Sequence, residues 1–135
     1  MRQYTASELA KEVDEILAEC KDSALTDNPE ELMESLLALP NAIARAGIIH
    51  AQAKTLHLMK SGEAYEAYLA AADINPKLYT STAVKAIVEG RVRSYADLEF
   101  HAEKAWKALD KKLRAIISAL SYLRTDLNNA KYQRP

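Results

Sequence analysis

The sequence predicts an all-α protein organised as a long antiparallel helical hairpin, about 41–72 against 94–130, with shorter helices packed on it. Three observations carry that expectation. Trp106, Leu109, Leu113, Ile116, Leu120, Leu123, Leu127 and Ala130 recur at alternating steps of three and four, an unbroken heptad seam that another helix must cover. Only 3 Gly and 4 Pro interrupt the 135 residues, and β-branched runs are few. Finally, Asp73–Thr80, with Asn75 before Pro76, is the strongest turn signal and separates two long helical stretches.

The elements follow in order. Thr5 and Glu8 have capping-box spacing, and Val13, Ile16, Leu17 and Cys20 share a face, so a first helix is expected from Ala6 to Lys21. Lys21–Asn28 reads as a connector. Asn28 then caps a second helix with Pro29 at its first position and acidic residues at the positive end of its dipole. Pro40 is expected to end or kink that helix, and Asn41 to open the next, which runs to Ala72 on a wide stripe lined by small residues. Gly47 and Gly62 inside it mark a bend or a close approach of backbones. After the turn, Ser81 or Thr82 caps a short helix carrying Val84, Ile87 and Val88, stopped by Gly90. Ser94, with Asp97 three residues on, caps the last helix, whose other face carries Lys104, Lys107, Lys111, Lys112, Arg114 and Arg124.

Size and composition bound the function. A chain of 135 residues with 49% hydrophobic content buries one core, so residues 1–135 form a single helical domain: acidic helices over 6–39, then the hairpin over 41–130. Ser35–Ala44 is the longest uncharged run in the first fifty residues, well short of the roughly 20 that span a bilayer, and no basic and apolar leader precedes it. A soluble chain is expected. The single Cys20 fits a reducing compartment. The net charge of −1 hides an asymmetry: 6 Lys and Arg against 13 Asp and Glu up to residue 75, then 12 against 6. That polarity fits either complementarity between halves or subunits, or a basic face aimed at a polyanion.

Motifs for chemistry are scarce. His50 and His57 share a helix face but sit about 10 Å apart by helical rise, too far to ligate one metal. His101 lies near Glu99 and Glu103 without an HExxH pattern. Glu12, Asp14, Glu15 and Glu19 suit a solvated helix face, and Ser94 and Cys20 lack a nucleophile's context. No enzyme activity, metal or cofactor is expected. What remains is a mixture of basic and aromatic residues, Lys77, Tyr79, Lys85, Arg91, Arg93 and Tyr95, able to neutralise phosphates and stack on unpaired bases. The same lysines and arginines equally suit the wet face of a helical bundle.

From about Ala51 to Asn128 the chain resembles phage proteins of the UvsY-like recombination mediator type. The likeness is one of layout: an Ala-rich helix with Lys54, Lys60 and Tyr65, then Lys77 to Thr82, then "TAVKAIVEGRVRSY", then a heptad helix opening "ADLEFHAEKAWKAL". It implies an all-helical homo-oligomer in the cytoplasm of a bacterial host that binds single-stranded DNA and helps load a recombinase or annealing protein, where a single-strand binding protein is already present. Lys54, Lys60, Lys77, Lys85, Arg91 and Arg93 would then track the backbone. The acidic N-terminal portion has no counterpart in that family.

A second class of function fits the same residues: a helical assembly or inhibitor module that binds protein and no nucleic acid. Salt separates the two. If phosphates carry binding, log affinity for a labelled single strand falls with log salt at about −0.7 per neutralised phosphate, and Arg91→Ala with Arg93→Ala flattens the slope. A protein-only module shows no oligonucleotide binding in fluorescence anisotropy, even at low salt.

Overall fold

The computed structural model describes residues 3–22, 28–71 and 81–132. Four helices account for nearly all of them: α1 (Ala6–Asp22), α2 (Pro29–Ala71), α3 (Ser81–Arg91) and α4 (Arg93–Tyr132). No strand occurs among the described residues, and the all-α hairpin of the sequence reading is the architecture present.

The first two caps form where the sequence placed them. The Glu8 amide donates to Thr5 Oγ1 at 3.2 Å, and the Thr5 hydroxyl donates to the Glu8 carboxylate at 3.2 Å. At α2 the Glu30 amide donates to Asn28 Oδ1 at 3.0 Å, and Pro29, which has no amide hydrogen to orphan, takes the first helical position.

Pro40 does not end a helix. Helix α2 continues through it, from Pro29 to Ala71, so the hairpin's first arm begins at 29 rather than 41. The reason lies in packing on both sides. Leu32, Leu39 and Ala46 are all buried against Leu109 and Ile116 of α4, while Pro40 itself is exposed, so its ring meets no neighbouring helix. Tertiary burial of the flanking turns outweighs the roughly 3 kcal/mol cost of an internal proline.

A second correction falls at the start of α4. Gly90 lies within α3, and Ser94 lies within α4 instead of capping it. The break is a single turn at buried Val92, whose amide donates to the Val88 carbonyl at 3.1 Å and whose carbonyl accepts from Tyr95 and Ala96. Burial of Val92 pins the chain there, and a glycine cap is not needed.

Residues 49–53 of α2 pack with 102–105 of α4, and residues 32–46 with 109–116, so the two long helices run antiparallel. Helix α1 lies along both. Its Leu9 and Val13 join the first cluster, while Ile16 and Cys20 reach the second. The heptad seam of α4 is therefore satisfied within one chain over Leu109, Leu113, Ile116, Leu120 and Leu123. Its two ends depart from expectation. Leu127 is 73% exposed, beyond the start of α2, and Trp106 is displaced from the seam by Ala102 and Ala105. Those alanines, with Ala53, let three helices approach closely around Leu9 and Val13, where an indole would not fit. Trp106 instead stacks on His50, centroids 6.2 Å apart. Gly47 faces this indole, and a Cβ added there would meet it at 3.8 Å, an ordinary contact.

Candidate interaction surface

The described basic residues among those singled out from the sequence are distributed over α2, α3 and the start of α4. Lys77 and Tyr79 lie outside the described residues. Lys54 and Lys60 are six residues apart on α2, and Lys85 and Arg91 six apart on α3, a spacing that separates each pair by about 120° around its helix. Two local pairings do form at the α3 end. Lys60 Nζ sits 5.8 Å from the Tyr95 ring centroid, and Arg91 sits 5.9 Å from that of Tyr68. Arg93 lines an open cleft of about 560 Å³ together with His57, Glu89 and Asp97.

Acidic side chains accompany these cations closely. Glu63 hydrogen-bonds Lys60 at 3.2 Å, which raises the lysine's pKa, and Glu99 meets His57 Nδ1 at 2.6 Å across α2 and α4. Glu103, hydrogen-bonded to Lys107 with His50 and Lys54 nearby, is held below the usual carboxylate range. Of the candidate cations, Lys60 is paired with Glu63 and Arg93 shares its cleft with Glu89 and Asp97, which weakens the local field that these two present to a polyanion. The acidic first helix contributes a further surface pair, Glu12 with Arg45 of α2.

Each of the three histidines has a partner in the structure. His50 stacks on Trp106, His57 pairs with Glu99, and His101 packs edge-on against Phe100 at 5.7 Å. Among the described residues, no three His, Cys, Asp or Glu side chains converge on a metal position. Burial pushes the Cys20 thiol up, with Lys112 opposing the shift, and a raised thiol is a poor nucleophile.

The largest unexplained feature is the outward face of α2. Met33, Leu37, Pro40, Ala44, Ile48, Ala51, Thr55, Leu58, Gly62, Tyr65 and Leu69 follow one another at steps of three or four, and all are exposed. They fall within an arc of about 100°, roughly opposite the line of Leu32, Leu39, Ala46 and Ala53 that faces α4. None of the eleven is charged. Helix α2 thus carries two apolar faces, and only one is covered. The signal was present in the sequence as the unusual width of its stripe, but width alone did not show that two seams were superimposed.

Beside this face the N-terminal segment makes a groove of about 490 Å³. Gln3, Tyr4 and Thr5 form one wall, and Ile48, Ala51, Thr55 and Met59 form the other. The Tyr4 amide donates to Gln52 Oε1 at 2.9 Å and holds the wall in place.

The same composition makes Pro29–Ala70 long and apolar enough to span a membrane by length and composition, against the sequence expectation of no such stretch. Its most apolar part carries isolated charges that a search for uncharged runs rejects. Only 22% of it is buried, whereas a core helix hides most of its apolar surface.

No protein-family model, curated protein or solved structure matches the chain. The likeness to UvsY-like mediators therefore rests on layout.

Proposed function

We propose that the protein is a non-enzymatic helical interaction module whose working surface is the outward face of α2. The observation that carries this reading is the eleven-position charge-free seam left in solvent on a helix already packed on its other side. Contiguous apolar patches on monomers rarely exceed a few hundred Å², and larger ones mark contact with protein or membrane. Arg45 and Lys54 flank the middle of the seam, and its two ends favour protein. Glu30, Glu31, Glu34, Glu63 and Glu66 surround its two ends, whereas helices that lie on anionic bilayers carry Lys and Arg there.

The test is the double substitution Leu37→Asp with Leu58→Asp, at positions 74% and 63% exposed. Helicity should stay close to wild type, with the stability of the unassociated chain changed by about ±0.5 kcal/mol per substitution, while association through this face is lost. Unfolding of the double variant would instead make the face part of the core and overturn the reading.

The single-stranded DNA reading retains one specific footing, the pairing of Lys60 with Tyr95 and Arg91 with Tyr68 at the α3 end. Salt-sensitive anisotropy that flattens in the Arg91→Ala, Arg93→Ala variant would favour it over the interaction module.

A further inference from the structure

We infer that the occupant of the α2 face is a second copy of this chain, docked through its own α2 in antiparallel orientation about Ala51; this deepens the interaction reading and rests on it.

Area is the first argument. Seven large side chains on this face and its edge, from Ile48 at 40% to Leu37 at 74%, remain exposed. At roughly 200 Å² each they leave on the order of 800 Å², the share one partner contributes to a stable interface. A helix of equal length covers a face about 54 Å long, and α2 itself has that length.

Self-complementarity is the second. With Ala51 on the two-fold axis, an antiparallel copy sets Leu37 against Tyr65, Pro40 against Gly62 and Ala44 against Leu58. Bulky residues then meet at the ends, and each small residue near the middle faces a partner that it can accommodate. The parallel alternative sets Gly62 on Gly62 and Ala44 on Ala44, leaving voids, and lays Glu30, Glu31 and Glu34 against themselves. An isologous contact also closes, so assembly stops at two.

The antiparallel register brings Glu34 near Glu66 of the second copy at each end. Association therefore strengthens as salt rises, the opposite sign to phosphate binding.

The experiment combines sedimentation with engineered cross-linking on the full chain. Wild type should sediment at twice the 15.0 kDa chain mass, more completely at higher salt, and Leu37→Asp with Leu58→Asp should return it to one chain mass with helicity intact. Ala51→Cys, in a Cys20→Ser background, should oxidise to a covalent dimer, because only a residue at the axis meets its own copy within disulfide reach. Wild type of single-chain mass at all concentrations, with the Ala51→Cys thiol staying reduced, overturns the second copy. It leaves the interaction reading to a comparison of proteins captured by wild type and by the double variant. A dimer that survives the double substitution also overturns it, since another face would then hold the copies. Co-sedimentation with phosphatidylcholine vesicles, lost in the double variant, overturns both readings in favour of a lipid surface.

Discussion

Ile116→Ala is expected to destabilise the protein by about 2–5 kcal/mol, while Ile117→Ala, one residue along the same helix, changes stability by roughly 0.5 kcal/mol or less. Ile116 is 1% exposed, surrounded by Leu32, Leu39, Ala46 and Leu109, and Ile117 is 48% exposed. Truncating Ile116 removes the transfer free energy of three carbons and leaves a cavity where α2 and α4 meet. Neighbouring turns on two long helices cannot collapse into it without moving Leu39 or Leu109. Against a total stability of about 5–15 kcal/mol, that loss is a large fraction. Urea denaturation followed by circular dichroism measures both variants. Equal effects at the two positions would mean that α4 presents a different face to α2.

Ala105→Leu should lower stability by about 1–3 kcal/mol or more, although leucine suits a helix and an apolar seam on sequence grounds. Ala105 is 1% exposed and shares its cluster with Ala53, Ala102, Leu9 and Val13, where three helices converge. Three extra carbons find no space there unless α1, which is packed on the hairpin through Leu9, Val13, Ile16 and Leu17, moves off it. Ser118→Leu, at an exposed position of the same helix, should be nearly neutral. A stabilised Ala105→Leu variant would show that the alanines mark loose packing instead of close approach.

The local features were legible because they are set by neighbours in the chain. Thr5 with Glu8, and Asn28 with Pro29, announced two helix starts that the structure contains. The seam from Leu109 to Leu123 announced a helix needing cover, and α2 supplies it. The helix boundaries at Pro40 and Ser94 were misread for one reason. Local rules weigh a proline or a serine against its neighbours, whereas Leu39 and Val92 are fixed by burial against distant parts of the chain. Lys85 and Arg91 were grouped by closeness in sequence, yet a spacing of six turns them about 120° apart on α3, and the pairing of His57 with Glu99 joins positions 42 residues apart that a linear reading does not associate.

By itself the sequence determined that this protein is helical, where its capped helices begin, and that its longest helices must pair, since periodicity and capping depend on residues a few positions apart. Only the tertiary structure decided which of the two apolar seams of α2 is buried. Either seam could have covered α4. The choice belongs to Ala53, Ala102 and Ala105, whose small side chains let α1 close over one side and leave Met33 to Leu69 facing outward. That outcome is a matter of shape between elements far apart in the chain, and no local pattern records it.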